Sequence, residues 1–165
     1  MQNAPTVIVA MSGGVDSAVA AVLLSEQGYR VLGITMRVWN EAGAPGAGGR
    51  PPEERARLVA EYLGIPLHVV DLRDAFREQV VDYLVEEYLA GRTPNPCLAC
   101  NRSLKFGQLL HEARRLGGDY FSTGHYVRTV RRDGRWHLLR GRDRRKDQSY
   151  MLYMLGQDEL AATIF

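Results

Sequence analysis

Lysine and cysteine are scarce in this 165-residue sequence, which has two of each and lacks long hydrophobic runs. No apolar run approaches the ~20 residues that cross a bilayer, so we expect no membrane role. The first predicted strand begins at Thr6, without the charged start, apolar stretch and cleavage site of a signal peptide, which favours a cytoplasmic protein. In such a reducing compartment we expect Cys97 and Cys100 to be reactive or ligating rather than joined in a structural disulfide.

Net charge is also small, at +2, but the positive residues are unevenly placed. The segment from Arg128 to Lys146 holds nine arginine or lysine residues and only two acidic ones, Asp133 and Asp143. Such an excess suits a polyanionic partner, because phosphate contacts dominate nucleic-acid affinity and arginine adds forked hydrogen bonds. A solvated hairpin explains the same charges equally well.

Branched apolar runs alternate with amphipathic segments along the chain, a pattern typical of parallel strands connected by helices. The predicted strands are Thr6–Ala10, Val31–Met36 and Leu67–Leu72, followed by a fourth within "DYFSTGHY". The predicted helices are Ser17–Gln27, Pro52–Leu63, Asp74–Ala90 and Arg102–Leu116, the last with Asn101 as its N-cap. We therefore expect one α/β domain, an open parallel sheet with helices on both faces in a Rossmann-like arrangement.

Two further segments fall outside that alternation of strands and helices. "YVRTVRRDGRWHLLRG" alternates in polarity and turns at Asp133-Gly134, which predicts a small basic β-hairpin. "EAGAPGAGGRPP" predicts a mobile loop rather than a domain linker, because the helical pattern resumes directly after it.

A glycine turn, Ser12-Gly13-Gly14, lies between the first strand and the first helix. Such a turn presents backbone amides and a helix N-terminus to an anion. A Walker A loop would have a lysine after its last glycine, whereas this chain has Val15-Asp16-Ser17. We expect Asp16 to hold Mg²⁺ or position a nucleotide, with the Ser12 and Ser17 hydroxyls donating to a pyrophosphate. An incidental tight turn is the alternative.

The segment "GRTPNPCLACN" places both cysteines just before the predicted helix that follows. A thiol near a helix N-terminus ionises more readily, so we expect a lowered pKa for Cys100 and a role as nucleophile or sulfur carrier. A zinc site would need about four ligands, and neither His111 nor His125 has ligand-like spacing. An iron–sulfur cluster would need at least one sulfur from outside this chain. A further alternative is that the two cysteines are a buried pair without a chemical role.

Two shorter segments carry candidate residues near the fourth strand. "STGHY" places Gly124 and His125 at the edge where open sheets bind ligands, although a glycine bend beside a hydrogen-bonded histidine is equally compatible. "KDQSYML" follows the basic hairpin and is also compatible with the start of a helix capped by Asp147. We interpret Trp39 and Trp136 as packing residues rather than base-stacking platforms.

Four stretches together resemble the tRNA-specific 2-thiouridylases. "MSGGVDSAV" is similar to the pyrophosphatase-type ATP loop of that family, and "GRTPNPCLACNRSLKF" to its cysteine loop. "TGHY" is similar to its nucleotide-side loop, and "KDQSYML" to its tRNA-contact stretch, all four in the family's order. The resemblance implies an adenine nucleotide alpha hydrolase-like fold. It also implies a two-step reaction, in which ATP adenylates the C2 oxygen of the wobble uridine and a persulfide sulfur then displaces AMP.

The resemblance also implies roles for individual residues. The ATP-binding residues would be Ala10, Met11, Ser12, Gly13, Gly14, Val15, Asp16, Ser17, Met36 and Gly124. Asn95, Pro96 and Cys97 would lie against the target base, and Cys100 would be the nucleophile. Lys146, Asp147 and Gln148 would contact tRNA. ATP and Mg²⁺ are the implied cofactors, and tRNA and an upstream sulfur-carrier protein the implied partners.

The sequence also departs from the family pattern. Cys97 stands where many members have an aspartate, so it could serve in catalysis or help ligate a cluster. The family's acidic, cysteine-containing stretch between Trp39 and Glu54 is replaced by glycine and proline. The family's central domain, its terminal β domain and the second cysteine that bears the persulfide are not in this chain. We therefore expect residues 1–165 to form the ATP-binding domain of a fragment or a split form, with a second chain able to supply the rest.

Such a domain would bind ATP without completing sulfur transfer alone. Two other functions fit the same motifs. One is an ATP-pyrophosphatase ligase that adenylates a carbonyl for attack by ammonia or lysine and does not need Cys100. The other is a nucleotide-binding module without catalysis.

Overall fold

A five-stranded, fully parallel sheet forms the centre of the computed structural model, which describes residues 4–39 and 50–165. Its strands lie in the order β3-β2-β1-β4-β7. Their bounds are β1 Thr6–Ala10, β2 Arg30–Arg37, β3 Leu67–Asp71, β4 Tyr120–Thr123 and β7 Thr163–Ile164. The three predicted strands and the fourth in "DYFSTGHY" are confirmed, and the two-residue β7 adds an edge.

Two helices cover one face of the sheet, α1 at Val15–Glu26 and α2 at Pro52–Leu63. Side chains alternate across a strand, so Val7 and Val9 of β1 point to this face while Ile8 points to the other. Val7 and Val9 pack in one fully buried cluster with residues of both helices, including Ala21 and Ala56. The cluster fixes both helices against β1, whose carboxyl end leads into the glycine turn.

The opposite face is covered by a long helix that contains both cysteines. It consists of α5 at Pro96–Ala99, a π-helical segment at Cys100–Leu109 and α6 at Leu110–Arg115. Phe106 of this helix contacts Phe121 of β4 edge to face, with ring centroids 5.9 Å apart, in a cluster that includes Ile8 and Ile34. Helices therefore lie on both faces, which confirms the predicted α/β architecture.

The start predicted for this helix, Arg102, is wrong by six residues. The helix begins at Pro96, because proline suits the first helical position, where its missing N–H costs no hydrogen bond. Asn95, not Asn101, is the N-cap, and its side-chain oxygen accepts a hydrogen bond from the Leu98 N–H at 3.2 Å. Asn101 instead lies inside the helix and is 2% exposed.

A second long helix is continuous from Arg73 to Leu89, close to the predicted Asp74–Ala90. It is made of α3 at Arg73–Phe76, a π-helical segment at Arg77–Asp82 and α4 at Tyr83–Leu89. Val80 packs on Leu104 of the cysteine-bearing helix. None of the helices in the described part of the chain has the length and apolar character to cross a bilayer.

The basic hairpin is present as β5 at Val127–Arg132 and β6 at Arg135–Arg140. Asp133 and Gly134 both have positive φ, 49° and 77°, which is the backbone of a two-residue type I′ turn. The chain then passes through a single 3₁₀ turn at Ser149–Met151 and α7 at Gln157–Ala162 before it reaches β7. Residues 41–49 of the expected mobile loop lie outside the described residues.

Candidate functional site

A cavity of about 370 Å³ opens where β1, β2 and β4 end, at the edge of the sheet where α/β proteins bind ligands. Seven of the ten predicted ATP-binding residues line it, namely Ala10, Met11, Ser12, Asp16, Ser17, Met36 and Gly124. The other three lie beside the cavity: Gly13 and Gly14 are in the turn, and Val15 is the first residue of α1. The structure thus brings together residues that lie up to 114 positions apart in the sequence.

The glycine turn is shaped by close packing. Gly13 has a φ of +74°, and a Cβ at this position would lie 2.4 Å from the Arg55 Cβ and 2.8 Å from the Ala56 nitrogen of α2. The Ser17 hydroxyl donates to the Gly14 carbonyl at 3.1 Å and accepts from the Ser12 N–H at 3.3 Å. In this structure the Ser17 hydroxyl therefore braces the turn, and its donation to a pyrophosphate stays a prediction.

Gly124 lies directly against the N-terminal end of α1. A Cβ at Gly124 would lie 2.7 Å from the Ser17 nitrogen and 2.9 Å from the Asp16 carbonyl carbon. Two residues later, the Tyr126 hydroxyl donates to Asp16 Oδ1 at 2.8 Å. Hydrogen bonding to Asp16, with the charge of that carboxylate, raises the pKa of Tyr126. The loop after β4 is thus held against the start of α1 by close backbone packing and by this hydrogen bond.

His125 also lines the cavity and is half-buried. Its Nδ1 lies 2.8 Å from the Thr123 hydroxyl. Burial, with a smaller contribution from the charge of Lys105, lowers the pKa of His125 to about 4. The imidazole is therefore neutral near pH 7, where it can exchange hydrogen bonds with a ligand but contributes no positive charge.

The two cysteines differ in environment, and both are free thiols. Cys97 is exposed in the first turn of the helix, whereas Cys100 is half-buried. Cys100 packs against the cluster of Leu72, Val80 and Leu104, which Met36 and Val38 of the cavity wall also contact. The thiol of Cys100 is thus next to the wall of the cavity without lining it.

The lowered pKa predicted for Cys100 is wrong. Burial raises the pKa of the thiol, and the charge of Lys105 opposes this only in part. The reason is the earlier start of the helix: Cys100 lies beyond the first turn, where the helix dipole acts, and the protein interior disfavours its thiolate.

The predicted tRNA-contact residues occupy three different settings. Lys146 is exposed. The Asp147 carboxylate accepts hydrogen bonds from the Gly141 N–H and from Ser149, which hold its pKa below the ordinary value. Gln148 accepts from the Tyr126 N–H at 2.9 Å and lines the cavity. Asp147 therefore stabilises the segment between Gly141 and Ser149 by internal hydrogen bonds, while Gln148 connects this segment to the cavity.

Asn95, predicted to lie near the target base, lines a second cavity of about 390 Å³ together with Arg102 and Tyr153. Pro96 follows it as the first residue of α5. In the described ranges no group of three or more His, Cys, Asp or Glu side chains is placed to hold a metal ion.

Three residues of the cavity region with titratable side chains were not predicted from the sequence as ligand contacts: Lys105, His125 and Tyr126. The sequence predicts the position of His125 at this edge of the sheet but assigns it no role. Lys105 had one usable signal, since it is one of only two lysines in the chain and lies five residues after Cys100.

Known proteins resemble this chain throughout the described ranges. The family model described as the tRNA methyl transferase HUP domain matches residues 5–165. A tRNA-specific 2-thiouridylase MnmA from Clostridium perfringens is 50% identical over 163 residues, which cover 96% of this chain and 45% of the relative. Its counterpart from Syntrophotalea carbinolica is 56% identical over 161 residues, with the same shares covered. The resemblance drawn from the motifs is confirmed, and the chain spans less than half the length of these relatives.

A solved structure shares the fold. It is described as a predicted subunit of tRNA methyltransferase from Methanocaldococcus jannaschii and superposes with a TM-score of 0.53 at 24% identity. The superposition covers 78% of this chain and 54% of that one.

Proposed function

The chain belongs to the tRNA methyl transferase HUP domain family, and we propose that it is the ATP-binding part of a tRNA 2-thiouridylase. Two lines of support meet in this proposal. The relatives at 50% and 56% identity carry that enzyme name. Seven of the ten predicted ATP-binding residues line one cavity, and the helix with the two cysteines packs beside it.

The proposed reaction has two steps. The C2 oxygen of a wobble uridine attacks the α-phosphorus of ATP, and pyrophosphate leaves as the bond between the α- and β-phosphates breaks. A persulfide sulfur then attacks C2, a C–S bond forms and AMP leaves with the oxygen. The Cys100 thiolate attacks the inner sulfur of the persulfide, so that the S–S bond breaks, its electron pair stays on the sulfur joined to C2, and a disulfide forms between Cys100 and the cysteine that carried the persulfide. An activated sulfur nucleophile suits the second step, and preorganised amide donors suit the charge that grows on the leaving pyrophosphate.

The cavity and its glycine turn fit a nucleotide with a pyrophosphate tail. Close backbone approach at Gly13 and Gly124 leaves no room for a Cβ, and the 12-residue helix α1 begins at this point, where its orphan N–H groups favour an anion. Asp16 is the carboxylate that would hold Mg²⁺, an ion that commonly uses one or two carboxylates and the phosphates. When bound, Mg²⁺ would neutralise charge on the phosphates.

Cys100 would be the nucleophile on this proposal, and Asn95, Pro96 and Cys97 would meet the target base. Asn95 lines the second cavity beside Arg102, so an RNA base could approach the cysteine-bearing helix there. The basic hairpin and Lys146 to Gln148 would contact the tRNA backbone, and Gln148 touches the nucleotide cavity as well. The sulfur would come from an upstream sulfur-carrier protein in the cytoplasm.

The observation that carries the proposal is the convergence of the glycine turn, Asp16, Met36 and Gly124 on one cavity. Titration calorimetry of the chain with MgATP, with inorganic pyrophosphate and with AMP tests it. We expect ATP to bind, pyrophosphate to compete with it and AMP to bind more weakly, because the turn holds the outer phosphates. Failure of ATP to bind would contradict the proposal.

The product of ATP cleavage separates this function from its alternatives. In an assay that supplies tRNA, a sulfur donor and the family's remaining domains with their second cysteine, we expect pyrophosphate and not phosphate. Cys100→Ser should keep pyrophosphate release and lose thiolation. Unchanged product formation by Cys100→Ser would instead favour a ligase that uses ammonia or lysine. ATP binding without tRNA-dependent pyrophosphate release would indicate a non-catalytic module.

A further inference from the structure

A lysine faces the cavity even though none follows the glycine turn. Lys105 belongs to the π-helical segment Cys100–Leu109, on the opposite face of the sheet from α1, and its side chain lines the cavity together with Ser12 and Asp16. A Walker A loop has its lysine in its own sequence, whereas the lysine that lines this cavity comes from a distant helix.

The winding of that helix explains how Lys105 reaches the site. Five residues make about 1.4 turns of an α-helix, which would place Lys105 and Cys100 on different sides. A π-helix instead hydrogen-bonds each residue to the fifth before it, so residues five apart are about one turn apart. The segment from Cys100 to Leu109, which includes Lys105, is wound in this way throughout, and at its end the Leu110 N–H bonds to the Lys105 carbonyl. Lys105 therefore lies on the side of the helix that carries Cys100.

The charges around Lys105 leave an anion as its natural ligand. Asp16 and His125 are the other titratable groups that line the cavity. Asp16 accepts a hydrogen bond from Tyr126, and His125 is neutral near pH 7. No ion pair involves Lys105 in the ranges 4–39 and 50–165. The ammonium is thus a cation in a half-enclosed site without a carboxylate partner.

We propose that Lys105 binds the phosphates of the nucleotide and is the lysine that the glycine turn lacks. The inference rests on the proposed function, since it takes the ligand of the cavity to be ATP. It adds a binding residue on the cysteine-bearing helix, so the same helix contacts the nucleotide and presents the nucleophile. The charge of Lys105 also acts on the Cys100 thiol, where it favours the thiolate.

Lysine acetylation of the unaltered chain gives a direct test, because Lys105 and Lys146 are its only lysines. The chain is treated with an acetylating reagent at several concentrations of MgATP, and each site is quantified by mass spectrometry. With ATP at 100 times its Kd, we expect acetylation of Lys105 to slow at least about tenfold, because nearly all sites are occupied. Acetylation of exposed Lys146 should be unchanged and serves as the internal control.

Variants give the second test. Lys105→Met should weaken ATP binding by about tenfold to a hundredfold, the usual loss for a hydrogen bond to a charged group, and should change AMP binding less. Lys105→Arg should restore most of the ATP affinity because it keeps the positive charge. Arg114→Gln is the matched control, since Arg114 is exposed on the same helix and does not line the cavity.

The outcomes separate this inference from the proposed function. If the unaltered chain does not bind ATP, both fail. If it binds ATP, but Lys105 is acetylated at the same rate with and without ATP, the inference is overturned and the proposed function stands. Equal ATP affinity of Lys105→Met and the unaltered chain overturns it in the same way. Should Lys105→Met fail to fold, the acetylation of the unaltered chain decides alone.

Discussion

Tyr126 donates its hydroxyl proton to Asp16 Oδ1 at 2.8 Å, across 110 positions of the chain. The bond joins the loop after β4 to the first turn of α1, and both segments border the cavity at the edge of the sheet. Because the carboxylate of Asp16 is held by this bond, its orientation toward the cavity depends on a residue outside the glycine turn.

Tyr126→Phe tests that dependence. Removing the hydroxyl keeps the ring and frees the Asp16 carboxylate, so we expect weaker binding of MgATP and a smaller effect on ATP without Mg²⁺. Calorimetry with and without Mg²⁺ measures both. The exposed Tyr62→Phe is the matched control. Equal MgATP affinities of Tyr126→Phe and the unaltered chain would show that the bond does not orient Asp16.

The glycines of the site should differ sharply in their tolerance of alanine. Gly13→Ala would adopt a left-handed φ and meet backbone atoms of α2, so we expect a loss of about 2 kcal/mol or more in the free energy of unfolding. Gly124→Ala would push the loop after β4 away from α1 and should weaken ATP binding.

Gly14→Ala is the stability control for Gly13→Ala. Its φ is −96°, and the nearest atom to a Cβ would be the Ser12 Oγ at 3.4 Å. Urea denaturation and calorimetry of the three variants test the contrast. A Gly13→Ala variant as stable as Gly14→Ala would contradict the close packing of the turn on α2.

Thiol reactivity should follow exposure and not the order of the cysteines along the helix. We expect iodoacetamide to modify exposed Cys97 faster than half-buried Cys100 near pH 8. Because burial raises the pKa of Cys100, its alkylation rate should still be rising above pH 9.0, the ordinary value for a thiol. Cys97→Ser and Cys100→Ser isolate each thiol for the measurement. A rate for Cys100 that levels off well below pH 9.0 would contradict the effect of burial.

The strands were predictable because a buried parallel strand is a short branched apolar run, and Thr6–Ala10 shows that pattern clearly. The turn at Asp133-Gly134 was predictable because few residues accept two positive φ angles in succession. In these cases the local residue types determine the backbone conformation.

The start of the cysteine-bearing helix was missed because the two prolines around Asn95 also fit a stiff loop. The same error made the predicted pKa of Cys100 wrong, because that pKa depends on how far the residue lies from the N-terminus of the helix. Lys105 was missed for another reason: its side of the helix depends on π-helical winding, and the hydrophobic spacing of the sequence does not reveal that winding.

Acid should destabilise the chain through His125. The folded-state pKa of about 4 lies below the ordinary 6.5, so the unfolded chain binds more protons between these values. The free energy of unfolding should therefore fall as pH is lowered from about 6.5 to 4, by about 3 kcal/mol from this residue at 1.36 kcal/mol per pKa unit.

Urea denaturation between pH 7.5 and 4 measures this loss. His125→Gln should lack this part of the acid sensitivity, whereas the exposed histidine variant His137→Gln should keep it. An equal loss of stability in His125→Gln and the unaltered chain would show that His125 is not buried in its neutral form.

The basic segment from Arg128 to Lys146 contains the hairpin and the residues that follow it. If this segment contacts the RNA backbone, tRNA binding should be sensitive to salt. Each phosphate contact changes the slope of log K against log salt by about 0.7 to 0.9. Changing exposed Arg144 and Arg145 together to alanine should therefore make that slope shallower by about 1.4 to 1.8 and weaken binding at low salt most.

The matched control is the double variant Arg57→Ala and Arg114→Ala, which removes the same charge from exposed positions outside the segment from Arg128 to Lys146. Because both double variants lower the net charge equally, a general electrostatic attraction would change both slopes alike, whereas a local contact changes only the first. A salt dependence that is flat, or unaffected by Arg144 and Arg145, would leave the nine positive residues as a solvated surface and would place the tRNA contact elsewhere on the chain.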